Sequence, residues 1–456
     1  MKDLDIAKFG GTSVADYAAM CNCVRVVTSN PNTQLCVVSA CAGVTNLLVE
    51  LAGGGAAAPR CDAILERIWE IHMEIIGHLG SREELTEQLA AVLADLRNLA
   101  AQARMERSDA LTDRIVSHGE LLSSRLMTEV FRAQGFRAEF FDVRRILRTD
   151  SLFGQATPII EVLQALGRDH LAPLLNGDQI VVTQGFIGSN QEGQTTTLGR
   201  GGSDYTAALL GEALQAATIS IWTDVTGVYT TDPRLVPYAR PIDELTYLEA
   251  AEMATFGAKI LHPSTLVPAV RQGIPVYVGS SLEPEKGGTW IRARTARLPS
   301  FRAVALRRDQ TLIVLASPRM VGACGFLARV FDVFARHRQS VDLVSTSEVS
   351  IAVTLDASSR TSGPRQLPED MLDELRGFCH VRVEHGLALL AVIGNSMSSA
   401  PGLAARVFTA IDRCAVRMIC SGASSHNLCF LLSDQEAPQA LVEIHRLLLD
   451  HAPGDG

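Results

Sequence analysis

The sequence lacks the features that would place it in several large classes of protein. It has no run of 18 apolar residues and no charged-then-apolar leader, so neither a membrane span nor a secretory signal is expected. Its net charge is −9, which argues against binding to nucleic acid through a basic face. None of its 10 cysteines forms a C-x-x-C pair. Free thiols in a reducing compartment are therefore expected, and the protein is predicted to be cytoplasmic.

The composition describes a globular chain with a large core. Hydrophobic residues make up 47% of the 456 residues and charged residues 20%, which excludes a disordered chain. The length suffices for about two to four domains. Before about residue 300, apolar runs of strand length alternate with helical patterns. This alternation predicts an α/β fold.

The most informative stretch is polar and rich in glycine, and it runs from Thr195 to Thr206. An apolar strand pattern precedes it and a helical pattern follows it. Its glycines allow close approach of a ligand, and the start of a helix attracts anions. Arg200 adds a planar fork that suits a carboxylate or a phosphate. The alternative is an ordinary turn capped by Ser203 or Asp204.

Two strand ends nearer the N-terminus also carry small and polar residues. Gly10 and Gly11 follow a first strand that carries Lys8 near its end. Backbone N–H groups there suit a phosphate, although the stretch is not a Walker loop. Ser39 and Thr45 follow the second apolar run, at the edge where ligands bind in α/β sheets. A solvated lysine and a helix cap at Thr45 are the alternatives.

A long helical region, roughly 61–135, contains the segment SHGE. A glycine inside a helix costs about 1 kcal/mol relative to alanine, so Gly119 indicates the close approach of another group. Glu120 is a candidate ligand for an ammonium group. We interpret His118 as a packed or capping histidine rather than as a base.

A polar loop and a helix end later in the chain offer further charged groups. The loop that ends at Arg234 carries carboxylates and aromatic rings, which suit a nucleotide, but it can equally be a long connection. Lys259 can pair with phosphates or cap its helix.

The chain after about residue 300 contains an internal repeat. Gly325–Phe331 (GFLARVF) matches Gly402–Phe408 (GLAARVF), and the following segments match in the same ungapped register. Both copies read as strand, helix, strand, polar turn and strand. Two related small domains are predicted, packed together with a small molecule between them.

Taken together, these stretches resemble the aspartokinase family, in particular its monofunctional, lysine-sensitive members. The resemblance covers nearly the whole chain and rests on KFGGTS at 8–13, SHGE at 117–120, TTTLGRGGSDY at 195–205, WTD at 222–224, TDPR at 231–234 and the segment 252–262. It implies an αβα sandwich of the amino-acid-kinase type with a mainly parallel sheet in residues 1–298. Two α+β, ferredoxin-like ACT regulatory domains would follow in residues 299–456. The first would span about 316–386 and the second about 299–315 plus 387–456, which gives the strand near Thr311–Leu315 to the second.

The resemblance implies an enzyme that uses ATP and Mg²⁺ to phosphorylate the side-chain carboxylate of L-aspartate, giving 4-phospho-L-aspartate. This is the first step of lysine, threonine and methionine biosynthesis. Lys8 and Asp204 would be catalytic, and no residue is assigned to the metal alone. The substrate would contact Ser39, Thr45, Glu120, Arg200, Gly201, Gly202 and Ser203, with Glu120 on its ammonium group and Arg200 on its α-carboxylate. ATP would contact Lys8, Gly10, Gly11, Thr223, Asp224, Tyr229, Arg234, Lys259 and Ile260.

The resemblance also implies inhibition by L-lysine at the first ACT domain. This chain has Ala323 where the lysine-sensitive members have a serine. Weaker inhibition by lysine is therefore our hypothesis. ACT domains usually pair across chains, so at least a homodimer is expected. The inhibitor would contact Met320, Phe326, Leu327, Val341, Asp342, Ser347 and Glu348.

Two other functions remain open at this point. One is a kinase of the same fold that acts on glutamate or N-acetylglutamate, although Arg200 and Glu120 together favour a free amino acid. The other is a lysine-sensing regulatory protein without catalysis, which the intact Lys8, Arg200 and Asp204 disfavour. A fused homoserine dehydrogenase is not expected, because no second nucleotide-binding domain is recognised in the 456 residues.

Overall fold

The computed structural model describes residues 3–80, 83–257, 261, 263–355, 367–397 and 402–450. The chain divides into two compact units, and this division does not follow the order of the sequence. Among the described residues, no helix combines the length and the apolar character that crossing a bilayer requires. The first unit comprises Met1–Val228, Pro241–Tyr247 and Ile260–Thr295, and the second comprises Tyr229–Arg240, Leu248–Lys259 and Ala296–Gly456.

The first unit is built on a mainly parallel sheet. Its strands, in chain order, are β1 (Asp5–Phe9), β2 (Thr33–Val38), β3 (Ala138–Phe141), β4 (Ile180–Gln184), β5 (Ile187–Ser189), β6 (Thr195–Thr197), β7 (Thr218–Thr223), β8 (Glu244–Thr246), β9 (Val276–Ser280) and β10 (Gly288–Arg292). The main sheet has the order β3-β4-β2-β1-β7-β9-β10-β8, and β5 pairs with β6. Within the main sheet only β9 and β10 pair antiparallel. The sheet type expected from the sequence is confirmed.

Helices connect these strands and provide much of the core. The long helical region expected from the sequence consists of four helices, α3 to α6 below. They pack with α1, α2 and the central strands in one apolar cluster that includes Phe9, Cys36, Ile68 and Phe131. The helices are α1 (Tyr17–Thr28), α2 (Val44–Ala52), α3 (Ala58–Gly77), α4 (Glu83–Met105), α5 (Asp109–Val116), α6 (His118–Ala133), α7 (Ile160–Leu166), α8 (Gly202–Leu214), α9 (Tyr247–Thr255, of which all but Tyr247 belongs to the second unit) and α10 (Pro263–Gln272).

The second unit is built on a six-stranded antiparallel sheet. Its strands are β11 (Ala303–Ala316), β12 (Val344–Thr346), β13 (Ser350–Leu355), β14 (His380–Ile393), β15 (Met418–Ser421) and β16 (Asn427–Ser433), in the order β12-β13-β11-β14-β16-β15. Its helices are α11 (Phe326–Arg336), α12 (Glu369–Arg376), α13 (Leu403–Ala410) and α14 (Ala437–His445). The repeat is visible at two helix starts, because Gly325 and Gly402 precede α11 and α13 with φ of 82° and 74°. Only glycine adopts this left-handed conformation without strain.

The two halves of this sheet share two strands of 14 residues, β11 and β14. Residues 311–316 of β11 pair with β13, and the side chains of Ile313 and Leu315 lie in the core of the first half. Residues 303–307 pair with 389–393 of β14, and residues 312–316 pair with 380–384 of the same strand. This differs from the expectation that the strand near Thr311–Leu315 belongs to the second ACT domain. One long strand serves both halves, so that stretch packs with the first half.

The second unit also takes in two stretches from the middle of the chain. In the first of them, residues 229–240, Val236 is fully buried in a cluster with Leu390, Phe430 and Leu441. Burial of a valine side chain contributes about 1.5–3 kcal/mol. This stretch is therefore part of the core of the second unit rather than a surface loop.

The second stretch is most of α9, whose carboxylates face the same unit. Glu249 is fully buried and pairs with Arg302 at 2.7 Å, and Asn395 Nδ2 donates to it at 2.8 Å. Glu252 accepts hydrogen bonds from Asn427 at 2.7 Å and from Ser424. These polar contacts fix α9 to the second unit.

Candidate active site

A buried lysine and an aspartate meet at the carboxyl edge of the main sheet. Lys8 lies near the end of β1 and is only 7% exposed. Its Nζ is 2.6 Å from Oδ1 of Asp204, which lies in the first turn of α8. A lysine is rarely buried unless it is paired, so this ion pair explains how Lys8 can lie buried near the end of β1. The structure thereby brings the first strand and the glycine-rich stretch together.

Gly10 and Gly11 directly follow β1, close to this pair. The N–H of Gly10 donates to the backbone oxygen of Trp222 at 3.0 Å. A Cβ atom at position 10 would lie 3.6 Å from the Lys8 Nζ, and one at position 11 would lie 3.0 Å from the oxygen of Ala40. A Cβ atom at position 10 would make only an ordinary contact with the lysine, whereas the one at position 11 would be tight. The N–H of Gly10 is already bonded to Trp222 and is not available to a phosphate.

Glu120 is a buried carboxylate close to the lysine. It is 4% exposed, and its Oε1 accepts a hydrogen bond from the N–H of Ala40 at 3.1 Å. Its Oε2 has no hydrogen-bond partner in the described part of the chain. Burial raises the pKa of Glu120 to about 8, while the Ala40 N–H and the charge of Lys8 act in the opposite direction. Such a group can accept a cationic ligand, which would supply the missing partner.

The close approach predicted at Gly119 is confirmed. A Cβ atom there would lie 2.6 Å from the Cβ of Ala40 and 3.3 Å from a methyl group of Leu48. The missing side chain lets α6 press against the end of β2 and against α2. This contact sets the position of Glu120, the next residue along the chain.

The loop that carries Arg200 ends at the start of α8. Gly199 and Gly201 have φ of 75° and 71°, so both need glycine. No side chain caps α8, whose N-cap is Gly201. The alternative of a turn capped by Ser203 or Asp204 is therefore wrong, and the helix N-terminus keeps its capacity for an anion. The Arg200 side chain is exposed.

The other residues predicted for the substrate lie on neighbouring elements. Ser39 follows β2, and its backbone oxygen accepts a hydrogen bond from Ser123 at 2.7 Å. Thr45 is exposed in the first turn of α2, whose N-cap is Gly43, so it does not cap that helix. Ser203 is 9% exposed in the first turn of α8.

Besides Lys8, Gly10 and Gly11, the residues predicted for ATP fall into three groups. Thr223 ends β7, and its hydroxyl donates to Asp224 at 3.0 Å. Tyr229 and Arg234 belong to the second unit, where the Arg234 guanidinium makes two-point contact with the carboxylate of Asp232. Lys259 and Ile260 lie outside the described residues.

His118, the other polar residue of the SHGE segment, is packed as expected. Its Nδ1 is 2.8 Å from the backbone oxygen of Arg114, and its Nε2 is 3.5 Å from Asp95. Burial lowers the pKa of His118. The ring is thus held by α5 and α4.

The sequence analysis missed Asp113 in this region. This aspartate lies on α5, is 1% exposed and accepts three hydrogen bonds from the neighbourhood of the glycine-rich stretch. A single aspartate in an amphipathic helix carries no sequence signal for that role.

The second unit contains a pocket of about 410 Å³ at the start of α11. Of the residues predicted for lysine, Val341 and Asp342 are not in its lining. Asp342 instead pairs with Arg307 at 2.9 Å. The lining consists of Met320, Val321, Gly322, Ala323, Gly325, Phe326, Leu327, Ser347 and Glu348.

Comparison with known proteins agrees with this geometry. The model of the amino acid kinase family matches residues 4–280, and a model of the ACT domain matches residues 390–448. The lysine-sensitive aspartokinase 3 of Escherichia coli is 51% identical over 451 residues, which cover 99% of this chain and 100% of that protein. The chain belongs to the aspartokinases. The aspartokinase of Chlamydia pneumoniae is 31% identical over 96% of both chains.

Two solved structures resemble this aspartokinase over nearly its whole length. E. coli aspartokinase III in complex with aspartate and ADP, an R-state structure, has a TM-score of 0.91 and 51% identity, covering 98% of this chain and 99% of its own. The same enzyme with lysine and aspartate, a T-state structure, has a TM-score of 0.83 and 50% identity, covering 98% and 100%. The fold and the enzyme class expected from the sequence are confirmed.

Proposed function

We propose that this aspartokinase transfers the γ-phosphoryl group of ATP to the side-chain carboxylate of L-aspartate at the edge of the sheet where Lys8 meets Asp204. One observation carries the proposal. A buried lysine–aspartate pair lies beside a buried glutamate that has an unsatisfied oxygen. This set offers a cation for a phosphoryl group and an anion for an ammonium group. The E. coli relative binds aspartate and ADP, which supports the same ligands here.

The chemistry fits the residues that are present. An oxygen of the substrate side-chain carboxylate bonds to the γ-phosphorus while the bond to the bridging oxygen breaks, and ADP leaves with the electron pair. The attacking carboxylate is already ionised, so no general base is needed, and the packed His118 need not supply one. The reaction depends on positioning and on charge neutralisation. Lys8 would neutralise the transferring group, and Asp204 would hold the lysine in place.

The substrate would be recognised by its two α-substituents. Glu120 would pair with the ammonium group through its unsatisfied Oε2, and Arg200 would bind the α-carboxylate in a two-point contact. Ser39, Thr45 and Ser203 would line the same pocket. For ATP we propose Lys8, Gly11, Thr223 and Asp224 in the first unit, whereas Tyr229, Arg234, Lys259 and Ile260 stay predictions from the resemblance.

Mg²⁺ would accompany the nucleotide. The described residues contain no group of three or more metal-binding side chains. A kinase Mg²⁺ needs only one or two carboxylates besides phosphate oxygens and water, and Asp204 supplies one at the right edge of the sheet. When bound, the ion would neutralise charge on the phosphates.

Regulation by L-lysine is the second part of the proposal. Glu348 and Ser347 line the pocket of about 410 Å³ together with mostly apolar residues. This combination suits an amino acid with an apolar stem and a cationic end. The E. coli relative binds lysine. The ACT-mediated homodimer and the cytoplasmic location stay predictions from the sequence.

A substrate panel tests the assignment. ADP release should be measured with aspartate, glutamate and N-acetylglutamate for the wild type and for Glu120→Gln. We expect turnover with aspartate alone, and a selective loss of aspartate affinity in the variant. Turnover with glutamate or N-acetylglutamate instead would identify another amino-acid kinase. No turnover together with retained lysine binding would identify a regulatory protein.

A further inference from the structure

The buried carboxylate of Asp113 has a hydrogen-bonding pattern that the proposed reaction does not use. Its Oδ1 accepts from the Thr197 hydroxyl at 2.8 Å, and its Oδ2 accepts from the backbone N–H of Thr197 at 2.8 Å and of Gly154 at 2.9 Å. The residue is 1% exposed and takes part in no ion pair within the described part of the chain. Burial raises its pKa, and the three donors oppose that effect. Burying a carboxylate without a cation is costly, and the three hydrogen bonds offset part of that cost.

The first segment that Asp113 holds is β6, at the start of the glycine-rich stretch. Thr197 ends β6 and lies three residues before Arg200. The second segment that Asp113 holds contains Gly154. It also contacts the first segment, because the backbone N–H of Ala156 donates to the oxygen of Thr197 at 2.9 Å. A Cβ atom at Gly199 would lie 3.1 Å from the oxygen of Gly154. Asp113 thus fixes both the loop and the segment beneath it.

The backbone of Asp113 belongs to α5, which runs on into α6, the helix that carries Glu120. The backbone N–H of Ser117 donates to the oxygen of Asp113, and that of Leu121 donates to the oxygen of Ser117. Helical hydrogen bonds therefore run through the junction of α5 and α6. Asp113 and Glu120 are seven residues apart, which places them on one face of this path, about 10 Å from each other.

We propose that Asp113 is a positioning residue that sets the spacing between Glu120 and Arg200, the two groups that would read the ammonium and the α-carboxylate of aspartate. The inference rests on the proposed function, because it takes both roles from there. The two charges of an α-amino acid are a fixed distance apart, so the groups that bind them must keep a fixed spacing. Asp113 links the loop of Arg200 to the helical path of Glu120 through one side chain.

The test uses steady-state kinetics of the full-length enzyme with both substrates varied. Asp113→Ala removes the acceptors of all three hydrogen bonds, and Thr197→Val removes only the hydroxyl. We expect KM for aspartate to rise about tenfold in the first and about threefold in the second, with KM for ATP within twofold of the wild type. The two increases in KM should be non-additive in the double variant, because both substitutions remove the hydrogen bond between the Thr197 hydroxyl and Asp113.

Two further variants separate a positioning role from general destabilisation. Glu212 is a buried carboxylate on α8 that pairs with Arg271 at 2.6 Å. Glu212→Gln should lower Tm without changing KM for aspartate. Thr197→Ser keeps the hydroxyl and should leave KM for aspartate at the wild-type value. If Asp113→Ala does not fold, the comparison of Thr197→Ser with Thr197→Val tests the positioning role instead.

Arg200→Ala distinguishes the possible failures. If Arg200→Ala raises KM for aspartate while Asp113→Ala and Thr197→Val leave it unchanged, the positioning role of Asp113 is refuted and the proposed function stands. If Arg200→Ala itself has no effect on KM for aspartate, the substrate role of Arg200 fails, and the inference fails with it.

Discussion

Lys8 Nζ lies 2.6 Å from Asp204 Oδ1, although the two residues are almost 200 positions apart in the sequence. The strand end and the helix start that carry them come together at one edge of the main sheet. In open α/β sheets this edge is the usual place for a ligand. The pair therefore supplies the cationic centre to which the predictions below refer.

Lys8→Ala should reduce kcat at least about a hundredfold, because a charge that acts on the transferring phosphoryl group would be lost. ATP binding should remain, since backbone groups and other side chains also hold the nucleotide. Kinetics and calorimetric titration with ATP measure the two effects separately. Near-normal phosphorylation of aspartate in this variant would falsify the catalytic role.

The same variant needs a stability control. Removal of Lys8 leaves the carboxylate of Asp204 partly buried without its partner, which can destabilise the fold by itself. The double variant Lys8→Ala/Asp204→Ala should recover part of the lost Tm and none of the lost turnover. Recovered turnover would mean that Lys8 serves stability only.

Arg200→Lys should raise KM for aspartate about fivefold or more, because an ammonium group cannot form the two-point contact of a guanidinium with a carboxylate. KM for ATP should change little. The measurement is the initial rate over a range of aspartate concentrations at saturating ATP. An unchanged KM for aspartate would remove Arg200 from the substrate pocket.

Aspartate binding at pH 7 should release protons from Glu120. In the ligand-free protein, burial raises the pKa of Glu120 to about 8, so its carboxyl group is mostly protonated before aspartate binds. The ammonium group of aspartate would favour the ionised form and lower this pKa. Calorimetric titration in buffers of different ionisation enthalpy measures the release. Glu120→Gln should abolish it, and equal heats in all buffers for the wild type would contradict the contact.

The stability of the ligand-free protein should also depend on Glu120. Its folded-state pKa is raised, so its contribution to the free energy of unfolding is fully present below about pH 4.3 and is lost as pH rises through about 8. The loss amounts to as much as about 1.4 kcal/mol per pH unit within that range. Denaturant unfolding at pH 5, 6.5 and 8 should show the wild type weakening relative to Glu120→Gln. Parallel pH profiles of the two proteins would argue against a raised pKa.

Ala323→Ser should strengthen inhibition by lysine. Position 323 is in the lining of the pocket of the second unit, and a serine there adds a hydroxyl for the ligand. One hydrogen bond contributes about 0.5–1.5 kcal/mol, so the inhibitory concentration of lysine should fall about two- to tenfold. Rates without lysine should be unchanged. Tight inhibition of the wild type, or none in either protein, would refute the hypothesis of weakened inhibition.

Much of the first unit could be predicted from the sequence because its signals are local. Lys8, Gly119 and the glycines around Arg200 stand in short contiguous motifs, each tied to one strand end or one helix start. Asp113 could not be recognised in this way. Its role depends on Thr197 and Gly154, which reach it only through the tertiary fold.

The second unit could likewise be predicted from the sequence only where its signals are local. The repeat predicted two related halves, and the left-handed glycines before α11 and α13 agree with it. That β11 serves both halves follows from the register of three strands, which no local pattern encodes. The burial of Val236 in this unit depends equally on residues about 150 to 210 positions later in the chain.

The second unit takes residues 229–240 and 248–259 from the middle of the chain, so no single cut separates it from the first. A fragment that ended near residue 298 would expose Val236, which is fully buried in the intact protein, and would deprive Glu249 of both Arg302 and Asn395. Chimeras that exchange regulatory regions between relatives must therefore transplant three stretches of sequence together. If only the C-terminal part were exchanged, residues 229–240 and 248–259 of this chain would have to pack against the core of a different protein.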